Sequence, residues 1–174
     1  MRRSAIIVLF LLFGCTEEKK PFKHRKTKLP ETTIAAEQQI AFGPVYFGID
    51  SAEHQSLNMP AIQTIGGYRF NYRRYFDDSG HLYMVQLVSL VSHSIPRQID
   101  SLIAYVSNLY GEPTIETRET NLDAAIPGAI EPVGFWIIGD KHIAAGYHRD
   151  YDTHEPYAML RIQHAPTMDR LRSR

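Results

Sequence analysis

IPRQIDSLIAYVSNLY, residues Ile95 to Tyr110, decides the fold: Ile99, Leu102, Ile103, Val106 and Leu109 recur at spacings of three, one, three and three. That rhythm puts five apolar side chains on one face of a 3.6-residue helix, and such a face must pack on an apolar surface. Ser94 precedes the run as an N-cap and Pro96 falls in the first turn, where a missing amide hydrogen costs nothing. Gly111 and Pro113 stop the helix at its other end.

The segments on either side alternate with a period of two. In Tyr68 to Phe76, Tyr68, Phe70, Tyr72 and Phe76 interleave with Arg69, Asn71, Arg73 and Tyr75, which predicts a strand with one aromatic and one polar face. Asp77-Asp78-Ser79-Gly80 has turn composition and leads into the apolar run Leu82 to Val91, so a hairpin is expected. Downstream, Val133 to Ile138, Ile143 to His148 and Tyr157 to His164 are expected to form a three-stranded meander. Phe42 to Phe47 reads as one strand and Ser51 to Leu57 as a short helix. Strands before and after a single long helix indicate an α+β domain, one antiparallel sheet of about five to seven strands with the 95–110 helix packed on it.

The amino-terminal segment is different in kind. Arg2 and Arg3 precede Ala5 to Phe13, an unbroken apolar run of nine residues. As a helix it would rise about 14 Å, half of a hydrocarbon core of roughly 30 Å, so it has the length of an export signal rather than of a membrane span. Leu12-Phe13-Gly14-Cys15 then resembles the lipobox of bacterial lipoproteins, with a large aliphatic residue three places before the cysteine and a small residue directly before it. The resemblance implies lipid attachment at the Cys15 sulfur, removal of residues 1–14 and acylation of the new amino terminus. Thr16-Glu17-Glu18 lacks the aspartate that retains some lipoproteins in the inner membrane, so the outer membrane is the expected destination. Cys15 is the only cysteine, so the exported domain has no internal disulfide, and its acylation leaves no thiol chemistry.

Residues 15–32 follow as a lipidated cysteine and a tether. Residues 16–32 carry six Lys or Arg against three Glu, two prolines and no apolar period, the composition of an extended spacer. Residues 33–174 form the single globular domain, with 11 basic and 16 acidic side chains. Lys141 is its one lysine, and without clustered cations a nucleic-acid partner is not expected. In general arrangement, Tyr46-Phe47-Gly48-Ile49-Asp50 before a short helix and Leu109-Tyr110-Gly111-Glu112-Pro113 at a helix exit look like small bacterial envelope lipoproteins with helix-on-sheet domains.

Searches for catalytic patterns end early. There is no Gly-x-Ser-x-Gly, no Ser-x-x-Lys, no P-loop and no dinucleotide fingerprint, and Glu116 with Glu119 shows no sign of converging. His148, Asp150, Asp152 and His154 alternate at spacing two. An extended backbone would project all four to one side as imidazole and carboxylate ligands for a divalent cation, whereas a turn over Asp150 to Pro156 would break that alternation. Tyr68, Arg69, Tyr72, Arg73 and Tyr75 combine the residue types enriched at binding hot spots, though an aromatic core face with solvated arginines would use the same letters. The Ala-, Pro- and Gly-rich loop from Asn121 to Pro132 is a second candidate contact surface. The expectation is a non-catalytic binding, assembly or accessory module, anchored to a membrane by its lipid, without a cofactor, and partnered by another envelope protein. The alternative is a metal-dependent enzyme or metal-binding protein using His148 to His154.

Overall fold

In the computed structural model of the chain, residues 35–117 and 126–173 are described. The export segment, Cys15, the tether, Glu119 and residues 121–125 of the Asn121–Pro132 loop lie outside them. A small antiparallel pair, β1 (Ile40–Phe42) and β2 (Val45–Tyr46), precedes α1 (Ser51–Ser56). Then come β3 (Ile62–Ile65), β4 (Tyr68–Phe76), β5 (Leu82–Ser89), the long helix α2 (Ile95–Tyr110) and β6 (Ile115–Glu116). The chain closes with β7 (Ile130–Ile138), β8 (Lys141–Arg149), β9 (Pro156–His164) and α3 (Ala165–Arg172). This is the expected α+β architecture, one antiparallel sheet of seven strands with a main helix packed against it.

Strand order is β3-β4-β5-β9-β8-β7-β6. The chain leaves the middle of the sheet after β5, passes over one face as α2, and reaches the far edge as β6. It then returns by the β7-β8-β9 meander until β9 pairs with β5, from Met84 opposite Gln163 to Val88 opposite Met159. Turn chemistry matches this path. Gly66 and Gly67, at φ 56° and 82°, make the two-residue turn between β3 and β4, where both central residues need positive φ. Gly146 lets β7 and β8 approach at the irregularity between Pro132 and Gly134, because a Cβ there would collide with the Glu131 carbonyl.

Residues directly opposite on neighbouring strands point to the same face. One row, Tyr72, Leu87, Leu160 and Ala145, faces α2. Onto it the helix lays Ile95, Ile99, Leu102 and Val106, all buried, so that the apolar face of the helix and that of the sheet form one core. Trp136 closes the far end of this core, its indole N–H donating to the Gly111 carbonyl at 2.8 Å.

Three expectations need correcting. Phe42 to Phe47 is a tight hairpin rather than one strand, because Gly43 at φ 55° followed by Pro44 reverses the chain. Leu109 is 52 % exposed: four residues on from Val106 the helical pitch brings Tyr110, not Leu109, back towards the core. Ser94 occupies the N-cap position in a left-handed conformation and its hydroxyl makes no cap bond. The buried Gln98 amide donates instead to the His93 carbonyl at 2.6 Å, pinning the β5–α2 connection from inside the helix.

Leu102→Ala is expected to lower the unfolding free energy by about 2–5 kcal/mol, whereas Leu109→Ala should change it by no more than about 0.5 kcal/mol. Urea titration of the two variants beside the parent checks both; equal losses would mean that the buried stripe is misassigned.

Candidate functional site

The His148 to His154 segment does not stay extended. Asp150 Oδ1 accepts from the backbone N–H of Asp152 at 3.0 Å and of Thr153 at 2.9 Å, and from the Thr153 hydroxyl. The bond from Thr153, then that from Asp152, holds the Asp150 carboxyl below the usual carboxylate range. An aspartate bonded this way to its following amides builds a turn. His154 sits in it at φ 57° with its side chain exposed. His148 is on β8, buried, its Nδ1 3.1 Å from the Ala129 carbonyl. Among the described residues, no three His, Cys, Asp or Glu side chains come close enough to share a cation, so the four are not brought together.

The tyrosine and arginine patch divides between the two faces of the sheet. Tyr72 is 5 % exposed and faces the core, and Tyr68 packs at the core's margin. Arg69, Arg73 and Tyr75 stand on the opposite face. Strand alternation separates residues one apart in sequence, so the five could never form one surface.

That opposite face combines arginines, aromatic rings and a buried apolar cluster of Val88, Ile130, Ala144 and Met159. Register defines a row across six strands: Arg73, Gln86, Arg161, Ala144, Phe135 and Ile115. A parallel row runs Tyr75, Met84, Gln163, His142 and Ile137. Contacts agree with the register: the Tyr75 hydroxyl donates to Gln86 Oε1 at 2.9 Å, and the Phe135 and His142 rings meet edge-on at 5.5 Å. Among the described strands this face carries Arg69, Arg73 and Arg161 and no Lys, Asp or Glu. Ile62, Ile115 and Ile137, three of the exposed large apolar residues, also fall on it.

Arg161 is the central group. It lies on β9, the middle strand of seven, and is only partly exposed. Burial lowers its guanidinium pKa below the usual range, and the positive charge of Arg172 acts in the same direction. No described carboxylate pairs with it. Arg161 was missed in the sequence, although one signal was present: it is the sole charged residue of the strand PYAMLRIQH.

Two other buried polar groups belong to the core. Lys141 is fully buried, yet its ammonium donates to the carbonyls of Glu37 and Ile40 and to the Tyr110 hydroxyl. Three donors meet three acceptors, so this lysine ties the amino-terminal segment and the end of α2 to β8. Burial brings its pKa down to about 8, partly offset by the negative charge of Glu37. His54, on α1, stacks on Tyr72 and lies 2.9 Å from its hydroxyl through Nε2, leaving Nδ1 buried without a partner. Burial, and then the field of Arg74, lowers the His54 pKa, while burial raises that of Tyr72 to about 12.

At the end of the sheet, a cleft of about 360 Å³ is lined by Phe47, Asp77, His81, His164, Thr167 and Arg170 among others. Thr167 Oγ1 accepts from Arg170 at 3.1 Å and pairs with His164 Nδ1 at 2.9 Å. The polar side chains of the cleft are thus largely engaged with one another. No protein-family model, no curated protein and no solved structure matches this chain.

The buried histidines predict a pH dependence. His54 and His164 have folded pKa values below that of an unfolded histidine, about 6.5. Below that pH the unfolded chain takes up protons that the folded chain refuses, so stability present above about pH 6.5 is lost as pH falls. Depressed aspartates such as Asp77 and Asp150 add their loss only below about pH 4. Urea midpoints are therefore expected to fall between pH 7 and pH 5, and less steeply when His54→Phe is combined with Tyr72→Phe; an unchanged slope in the double variant would remove His54 as a cause.

Proposed function

We propose that this chain is a lipid-anchored cell-envelope protein acting as a non-catalytic binding, assembly or accessory module, with the sheet face opposite α2 as the contact surface. The composition of that face carries the proposal. Protein contact surfaces are enriched in aromatic residues, Met and Arg and depleted of Lys, Glu and Asp. The accessible groups of that face include Tyr75, Tyr157, Phe135, Arg69, Arg73 and Arg161, with none of the three depleted types among its described residues, while Met84 and Met159 are buried beneath them. Exposed isoleucines at its margins add apolar area that a solitary sheet would gain by covering.

The anchor belongs to the same proposal. Arg2 and Arg3, the short apolar run and Leu12-Phe13-Gly14-Cys15 support export and lipid attachment, with the outer membrane as destination. Lys and Arg of the tether would each contribute about 1 kcal/mol of attraction near an anionic leaflet, holding the domain close to the surface. A partner presented at that surface would then meet a domain whose search is confined to a plane.

Two measurements test the proposal separately. Cys15→Ala is expected to remove the acyl mass from the mature amino terminus and release the protein from membranes; undiminished membrane retention would overturn the anchor. A photo-crosslinking residue at position 75 of the full-length chain, in the cells that make it, is expected to yield a discrete protein adduct that the same residue at position 109 does not. Adducts from position 109 alone would place the contact on the helix side and overturn the assigned face.

A further inference from the structure

The cleft at the end of the sheet is walled by segments far apart in the chain. Phe47 and Gly48 follow β2, Asp77 and His81 belong to the β4–β5 turn, His164 ends β9, and Thr167 and Arg170 stand on α3. Its floor is apolar, since Phe47 and Leu82 are part of the main core. Its rim is polar and open to solvent: Gln39, His81 and Arg170 are exposed, and His164 is half-buried. At about 360 Å³ the cleft lies at the small end of the range of ligand pockets. The Phe47 ring packs against the His164 ring with centroids 5.6 Å apart, so the apolar floor adjoins a nitrogen-bearing wall.

Hydrogen bonding on the α3 side sets the chemistry of that wall. A guanidinium only donates, so the 3.1 Å bond from Arg170 Nη2 occupies a lone pair of Thr167 Oγ1. The hydroxyl keeps its own hydrogen, and His164 Nδ1 stands 2.9 Å away to accept it. An imidazole that accepts at Nδ1 carries its hydrogen on Nε2. Burial above all, with the positive charge of Arg170, lowers the His164 pKa against the pull of Asp140 and keeps the ring neutral. Thr167 is buried, which fixes the chain of three from below. On the facing wall, Asp77 Oδ1 already accepts from the backbone N–H groups of Ser79 and His81, both at 3.0 Å. The His81 ring lies 3.9 Å from the same oxygen. Donors therefore outnumber uncommitted acceptors around the cleft.

We propose that this cleft binds a small organic carboxylate, its charged group between Arg170 and His164 and its carbon skeleton over Phe47. The planar guanidinium fork matches a carboxylate, and the His164 Nε2–H adds a donor. Phosphate fits less well. Asp77 balances the one fixed cation of the described lining, so a dianion brings a charge without a counterpart, and the apolar floor favours a hydrocarbon body. Arrival of a carboxylate also favours a proton on His81 or His164, which restores neutrality. Asp77, with Asp78 beside it, and Asp140 of the β7–β8 turn act in the same direction, and Arg170 of α3 opposes them. Lys141, opposite His164 on β8, is committed to its own three oxygen acceptors. Affinity therefore rises as pH falls towards 6.

The cleft is separate from the sheet face proposed as the contact surface, and the two stand or fall independently. Isovalerate, isovaleramide and inorganic phosphate are each titrated into the full-length lipidated protein in detergent, with the ring resonances of His164 as the readout. Before any addition, the nitrogen shifts are expected to show the Nε2–H tautomer. Isovalerate is expected to move the ring signals saturably and to bind about tenfold tighter than isovaleramide or phosphate. Its affinity should be about threefold higher at pH 6 than at pH 7.5. Arg170 is exposed, so Arg170→Gln should keep the fold while removing the preference for isovalerate over isovaleramide, and Arg170→Lys should restore part of it. An Nδ1–H tautomer, no saturable shift with isovalerate, equal binding of acid and amide, tighter binding of phosphate, or an unchanged preference in Arg170→Gln would overturn the inference.

Discussion

Pairing of β5 with β9 is the constraint on which the rest of the molecule depends. These strands are neighbours in the sheet although the whole of α2 and three further strands lie between them in the chain. Their pairing joins the first hairpin to the terminal meander and turns two small antiparallel units into one surface of seven strands. It also brings Gln86 opposite Arg161. Because the ladder requires loop closure over a long stretch of chain, it is rewarded only when α2 packs across the joint and buries its apolar face.

α2 covers one face of the sheet, and the other holds a smaller buried cluster of Val88, Ile130, Ala144 and Met159, with Arg172 of α3 close enough to Arg161 for its charge to act there. On the α2 side, apolar rows such as Tyr72, Leu87 and Leu160 make the core. Lys141 is satisfied there by three oxygen acceptors, whereas His54 Nδ1, Gln98 Oε1 and Ser107 Oγ are buried without a partner among the described residues. On the other side, glutamines, methionines, tyrosines and arginines stand in rows without acidic neighbours among the described strand residues. Both sides hold a buried atom without a partner among the described residues, Gln98 Oε1 on α2 and Gln163 Oε1 on β9. The contact surface is proposed for the side opposite α2 because Arg69, Arg73 and the exposed Ile62, Ile115 and Ile137 stand there.

Local signals in the chain were read well where short-range geometry governs. The spacing of Ile99, Leu102 and Val106 specified a buried helical stripe, and Gly111 specified its end. The two-residue period of Tyr68 to Phe76 specified a strand with a core side. Errors arose where the backbone changed direction or phase. Gly43-Pro44 reverses the chain inside what looked like one strand, and the pitch of α2 exchanges Leu109 for Tyr110. The hydrogen bonds of Asp150 curl the apparent ligand run into a turn. Grouping Tyr72 with Arg73 failed for a simpler reason, since adjacent strand residues point to opposite faces.

By itself, the sequence determined which segments become helix and strand, which side of each is apolar, and that no cysteine other than Cys15 is present to hold the fold together. These follow from periods of 3.6 and 2 and from composition, which are local properties of the chain. Only the tertiary structure decided that β9 lies at the centre, that Arg161 stands between Gln86 and Ala144, and that no described carboxylate answers its charge. Alternation tells a residue which face it is on but not which strand lies beside it. That neighbour is chosen by long-range pairing, and the chemistry of the face depends on it.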